Sequence, residues 1–209
     1  MYTAIIVEPR KHKALSFVLQ NFLKNLPEEE WSFIIFHGNK NLDYINYILE
    51  NDIIEKERSR ITLIDLQVDN LTTCEYNDML KSEGFYNYIP TETFLVFQTD
   101  TMIFNKHRHI IYHFLHYDYV GAPWKKSFEW AEKFKYVGNG GLSLRKKSKI
   151  LELIKNIDIN IIQNEDMFFS RNQESIFVKK PEYEIAKQFS IETVFSDIAF
   201  GCHSTLEMA

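Results

Sequence analysis

The chain has 209 residues, 45% of them hydrophobic and 25% charged, with a formal net charge of −5 at pH 7. That length carries one sizeable core. The acidic balance excludes a protein built to hold nucleic acid by its phosphates, while leaving room for a local basic pocket around one diphosphate. Two cysteines, Cys74 and Cys202, are too few for a disulfide framework and suit a reducing compartment, with the cytoplasm as the expected setting. The first seven residues are mostly apolar, but Glu8, Arg10 and Lys11 follow at once, so the start does not read as a signal peptide. No run of about 18 apolar residues exists to span a membrane.

Residues 4–7 read as a short buried strand closed by Pro9. Residues 13–26 then place Leu15, Val18, Leu19, Phe22, Leu23 and Leu26 at the 3-4 spacing of an amphipathic helix. A strand over 31–36 ends at His37-Gly38-Asn39. A helix over 42–49, a strand over 61–66, a helix over 75–80 and a strand over 94–97 follow. Further along, the pattern predicts a helix over 108–115, a strand over 140–144 and a helix over 146–155. The last elements expected are a helix over 182–189 and a short strand over 192–195. Strands alternating with helices argue for a largely parallel sheet with helices on both faces. No repeat, low-complexity tract or linker rich in Pro, Gly or Ser divides the chain, which therefore reads as one domain.

Asp100 carries the sharpest chemical signal. It follows the apolar run of residues 93–97 at the carboxyl end of a predicted central strand, where open α/β sheets place their ligands. Gly138, Gly140 and Gly141 flank Asn139 ahead of Leu142-Ser143-Leu144-Arg145. This is neither a dinucleotide fingerprint nor a P-loop. It reads either as a tight turn before a strand or as a flat floor beneath a ligand. Asn164-Glu165-Asp166 before Met167-Phe168-Phe169 offers two readings, acids favouring a helix start or a carboxylate aimed into a cleft as a general base. Glu165 and Asp166, if helical, point about 100° apart, so only one can serve a given proton transfer. His203 stands beside Cys202 with no C-x-x-C anywhere, so the pair is no zinc site. Arg10, with Lys11, His12 and Lys13, is either a solvated helix start or a nucleotide contact at the first crossover. Trp124, after Gly121-Ala122-Pro123, is either a stacking surface for a sugar or a cap on the core.

In this order, Phe97-Gln98-Thr99-Asp100, Gly138 to Arg145, Asn164-Glu165-Asp166 and His203 resemble the "DxD" motif, glycine loop, "xED" motif and C-terminal histidine of the GT-A glycosyltransferases. A closer resemblance, over almost the whole length, is to a group of glycosyltransferase-like domains. Its blocks appear here as Val7-Glu8-Pro9-Arg10, Phe36-His37-Gly38, Tyr76-Asn77-Asp78-Met79-Leu80 and the later segments, Gly121-Ala122-Pro123-Trp124 among them. The chain is also similar to the N-terminal domain of algal-virus capsid glycosyltransferases, which would set it in a host cytoplasm and allow it to be one part of a longer multidomain chain.

The resemblance implies an α/β fold of GT-A, Rossmann-like build, with a mixed, mostly parallel sheet, helices on both faces and a single domain over residues 1–209. It implies a metal-dependent glycosyltransferase that takes a nucleotide-sugar, a UDP-sugar above all, and a glycan or glycoprotein acceptor. Mn²⁺ or Mg²⁺ would be held by Asp100 and His203. The donor would lie against Glu8, Arg10, His37, Asp78, Thr99, Asn139, Gly140 and Gly141, and the acceptor against Trp124 and Glu165. Asp166 would be the catalytic base. One departure matters: the first acid of "DxD" is Gln98, so only Asp100 supplies a charged ligand there. That leaves two rivals, a sugar-nucleotide-processing nucleotidyltransferase and a catalytically silent glycan-binding domain. The first is disfavoured because Glu8-Pro9-Arg10-Lys11 contains no glycine.

Overall fold

Strand β1 (Tyr2–Val7) is apolar through its middle because both of its faces are covered. Ala4 and Ile6 enter one side of the core and Ile5 the other, which accounts for a continuous apolar run where alternation would mark a half-exposed strand. The structure, a computed structural model, describes residues 1–172 and 175–204. From β1 the chain passes through α1 (Leu15–Asn25) to β2 (Trp31–His37), then α2 (Leu42–Asn51), the short α3 (Glu55–Arg58) and β3 (Ile61–Asp65). Helix α4 (Thr73–Leu80) precedes β4 (Thr93–Val96), with a 3₁₀ segment at Glu83–Tyr88 between them. A short β5 (Thr101–Ile103), 3₁₀ turns at Asn105–His113 and β6 (Tyr119–Pro123) lead to another 3₁₀ segment, Glu129–Phe134. The long β7 (Val137–Lys146), α5 (Lys147–Asn156), α6 (Glu165–Ser170), α7 (Tyr183–Ala186), β8 (Ser190–Ile191) and β9 (Gly201–His203) complete the order.

The main sheet has six strands in the order β3-β2-β1-β4-β7-β6. The first four run parallel, while β7 lies antiparallel to both β4 and β6. Helices α1 and α2 cover one face, where Phe22 stacks on Phe97 with ring centroids 4.1 Å apart. Helices α5 and α6 and the Glu83–Tyr88 turn cover the other. The mixed, mostly parallel α/β sheet with helices on both faces is therefore the observed architecture. A second sheet, β5-β9-β8, has three strands and packs Ile103, Phe189 and Phe200 into the same core as α1. No helix among the described residues is long and apolar enough to cross a membrane. Cys74 is exposed and Cys202 buried.

Four expected elements differ. The helix over 108–115 is instead a string of 3₁₀ turns over Asn105–His113, although Ile110, Ile111 and the following Phe114 all reach the core. The helix over 182–189 shrinks to one turn, Tyr183–Ala186, because the following residues leave it to form β8. Residues 192–195 are not a strand; the pairing falls on Ser190–Ile191. The strand expected over 140–144 is present but longer, Val137–Lys146, so Gly138 and Asn139 lie inside β7 rather than in a tight turn before it, and none of the chain's glycines has a positive φ.

Candidate functional site

The glycines of β7 are set by what presses against them. A Cβ on Gly138 would strike Ser170 and Trp124, and one on Gly140 would lie 2.7 Å from Asp166 Cβ. A Cβ on Gly141 would run into the imidazole of His203. The segment thus lets α6 and β9 come down onto the sheet. Gly141→Ala should cost about 1–3 kcal/mol through overpacking. Gly84→Ala, where a new methyl meets nothing within 4 Å, should gain about 0.4–1 kcal/mol through the unfolded chain. Urea midpoints of the two variants check the contrast.

A pocket of about 450 Å³ opens at the carboxyl ends of β1 and β4. It is lined by Glu8, Pro9 and Arg10 after β1, by Gln98, Thr99 and Asp100 after β4, and by Thr72, Thr73 and Tyr76 of the α4 start, among others. Strands β1 to β3 step one way across the sheet and β4 lies on the opposite side of β1, so this is the sheet's switch point. Glu8 is buried and grips Arg10 with both oxygens, at 2.8 Å to Nε and 2.8 Å to Nη2. The fork preorganises a guanidinium whose side chain stays 56% exposed at the pocket wall. Asn41 ties this turn to the neighbouring one, donating to the carbonyls of Glu8 and Arg10 and accepting from the Gly38 amide. A slightly larger pocket, about 460 Å³, lies between the end of α1 and the α2–α3 connection, away from these strand ends.

At the mouth of the switch-point pocket, His203 Nε2 is 3.1 Å from Gln98 Oε1 and 3.5 Å from Asp100 Oδ1. Pairing of β5 with β9, with Thr101 opposite His203, sets this proximity. On the other edge of the ring, Nδ1 lies 3.7 Å from Glu192, which accepts from Asn139 Nδ2 at 2.8 Å. Gln98 Nε2 faces the Tyr76 hydroxyl at 3.4 Å. Burial, ahead of the Glu165 charge, pushes that phenol up to about 12. Among the described residues, no three His, Cys, Asp or Glu side chains converge into a complete ligand set. One carboxylate, one imidazole and one amide carbonyl do meet. That partial shell of mainly hard donors fits a divalent ion whose remaining positions belong to phosphate oxygens and water.

Asp166 sits half-buried at the start of α6. Its Oδ2 accepts from the Gly140 amide at 3.2 Å and its Oδ1 from its neighbour Met167 at 2.7 Å. Burial first, then the charge of Glu165, push its carboxyl up to about 6. Glu165 turns the other way. It is 4% exposed, with its oxygens 2.6 and 3.0 Å from the guanidinium of the fully buried Arg145.

The structure brings together Glu8, Arg10, Thr99, Asp100 and His203 around the pocket and its mouth, with Asn139 and Gly141 behind the imidazole. Others lie elsewhere. Glu165 does not reach the cleft, because Arg145 takes both of its oxygens. Trp124 is only 5% exposed and packs against Ala131 and Phe134; Trp130, in edge contact with it and 45% exposed, is the aromatic that meets solvent. Asp78 faces solvent beside Lys81 rather than the pocket, and Tyr76, two residues earlier, takes the wall. His37 is buried against the Gly38 carbonyl, outside the pocket lining. Gly140 contacts Asp166, not the pocket. Sequence reasoning missed Asn77, whose Oδ1 accepts from the Glu165 amide at 2.8 Å, and also Glu192 and Arg145. An acceptor at a helix start was readable in principle; partners 88 and 53 positions apart were not.

A family model described as "Protein of unknown function (DUF5672)" matches residues 60–203. No curated protein matches the chain. Among solved structures, an active-site mutant of LgtC superposes with a TM-score of 0.62 at 13% identity, over 96% of this chain and 86% of that one. Staphylococcus aureus TarS 1–349 gives 0.56 at 12% identity, over 97% of this chain and 60% of that one. The mannosyltransferase PcManGT from Pyrobaculum calidifontis, solved with GDP-Man and Mn²⁺, gives 0.56 at 10% identity over 80% and 50%. TarS 1–349 is also solved with UDP. At these identities the likeness is one of fold, the GT-A fold. The chain spans 60% of TarS 1–349 and 36% of the longer TarS structure.

Proposed function

The chain belongs to the DUF5672 family, and from its likeness in fold to solved glycosyltransferases and the pocket at its switch point we propose a metal-dependent, cytoplasmic glycosyltransferase that moves a sugar from a UDP-sugar to a hydroxyl of a glycan or glycoprotein. The observation that carries this reading is the placement of Asp100 and His203, 3.5 Å apart, at the mouth of a pocket whose wall holds a preorganised arginine. A diphosphate lying between Arg10 and the Asp100–His203 pair meets positive charge at one end and an ion site at the other. Thr72, Thr73 and Tyr76 then face the nucleoside. Asp100, His203 and the Gln98 carbonyl would hold Mn²⁺ or Mg²⁺. When bound, that ion neutralises charge developing on the leaving diphosphate.

The remaining chemistry belongs to the chain's own side chains. The acceptor hydroxyl loses its proton to Asp166, its oxygen forms the new bond to the anomeric carbon, and the bond to the diphosphate breaks with its electrons leaving on UDP. Arg10 keeps the departing diphosphate in place. Trp130 offers the exposed ring on which an acceptor sugar can stack. Glu165 has a structural part, described below.

Calorimetry with UDP tests the reading. Binding is expected in Mn²⁺ and should weaken strongly in EDTA. Asp100→Ala should abolish the Mn²⁺-dependent part while the far-UV spectrum stays that of the parent. UDP binding that ignores both the metal and this substitution would remove Asp100 from the site. Glycan binding without any affinity for UDP would favour the silent-domain reading, which Gln98 in place of an acid keeps open.

A further inference from the structure

Asp166 is held by two pieces of backbone, the Gly140 amide on β7 and the first turn of α6. Both are gripped by one side chain. Arg145 donates to Glu165 Oε2 at 2.6 Å and Oε1 at 3.0 Å, fixing the residue next to Asp166. It also reaches the Gly140 carbonyl at 3.4 Å and donates through Nε to Ser143 Oγ at 2.9 Å. Ser143 in turn donates to that Gly140 carbonyl at 2.9 Å. The rings of Tyr119 and Phe169 stand 5.2 and 5.6 Å from the guanidinium carbon. The side chain is fully buried, and its hydrogen bonds to Glu165, Ser143 and the Gly140 carbonyl all bear on the backbone that holds Asp166.

We propose that Arg145 is the positioning residue of Asp166: through Glu165, Ser143 and Gly140 it sets where that carboxylate stands and how readily it holds a proton. The inference rests on Asp166 as base for its kinetic part only. Four groups face the carboxylate electrostatically: Glu165 on α6, Arg145 on β7, Tyr119 on β6 and Tyr76 on α4. Both tyrosines are held neutral well past neutrality, so the balance at working pH lies between Glu165, which favours the protonated acid, and Arg145, which opposes it. An anchor that only filled space would leave that balance untouched.

The test is a carboxyl ¹³C NMR titration of Asp166 in the parent, Glu165→Gln and Arg145→Lys, with no nucleotide present. Turnover with UDP-glucose and UDP-galactose is measured in parallel. Glu165→Gln deletes the opposing negative charge and leaves the guanidinium in place, so the midpoint should fall by about one unit or more. Arg145→Lys keeps the charge but loses the fork, so the midpoint should hold while kcat drops at least about tenfold with donor KM unchanged. If Arg145→Lys does not fold, Ser143→Ala is read in its place, with the same lowered kcat and steady midpoint expected. Identical midpoints in parent and Glu165→Gln, or parental kcat in the folded Arg145→Lys or Ser143→Ala, would overturn the proposal. Shifted midpoints in proteins that turn over no donor would keep the positioning role and remove Asp166 from glycosyl transfer.

Discussion

Asp166→Asn should lower kcat by about 10²–10⁴-fold while leaving UDP binding in Mn²⁺ close to that of the parent. The substitution keeps the shape of the side chain, removes its capacity to take a proton and gives up one of the two acceptors now facing the Gly140 and Met167 amides. The carboxylate contacts Gly140 and Met167 rather than the switch-point pocket, so the donor should not sense the change. The pH profile supplies the second half. The carboxyl is pushed up to about 6, by burial first and Glu165 second. As a base it acts only when ionised. The parent's kcat/KM for the acceptor should therefore climb as pH rises through about 6, and the residual rate of Asp166→Asn should lack that limb. Loss of UDP binding in Asp166→Asn, or a parental acid limb in it, would take the proton transfer away from this residue. An NMR assignment of the product anomer, inverted relative to the donor, completes the check.

Glu165→Ala should be the most destabilising single change at the site. Arg145 is fully buried and Glu165 nearly so. Deleting the carboxylate leaves a guanidinium without its counter-charge in a low-dielectric interior, for which about 3–5 kcal/mol is the usual cost. For a chain of this size that corresponds to a fall in melting temperature of roughly 10 °C. Removing both charges behaves differently. A well-packed Arg145→Met/Glu165→Met double variant should recover most of the loss, because the desolvation of the pair disappears along with its attraction. Thermal melts of the single and double variants at neutral pH decide it. A single variant as stable as the double would mean that the ion pair contributes little.

The sheet was legible where apolar periodicity was long. Residues 13–26 carry a helical stripe, and residues 31–36 and 94–97 are apolar runs that only doubly covered strands tolerate. The divergent directions expected of Glu165 and Asp166 also appear, one turned to Arg145 and the other to Gly140. What escaped reading depends on partners distant in sequence. Tyr119–Pro123 is buried at every position, so no alternation announces β6, and of the two readings open for Trp124 just past it, the packing onto Ala131 and Phe134 matches the cap on the core. Gly138 stands ahead of the strand expected over 140–144 and disfavours one locally, yet it lies in β7, where its missing side chain leaves room for Ser170 and Trp124. Glu192 joins Asn139 and His203 only after the small sheet has formed. Its place follows from a two-residue strand, Ser190–Ile191, too short to carry a pattern.

All six strands of the main sheet are present once synthesis has passed Lys146, whereas β8 and β9, which bring in His203, come from residues 190–203. A ribosome releases the chain amino end first. The nascent protein can therefore shape the walls around Arg10 and Asp100 well before the imidazole arrives to face them. On the proposed reading, a chain released only as far as α5 would carry the cradle for a nucleotide without the partner that closes the ion site. Pairing of β9 with β5 would then be the step that completes that site.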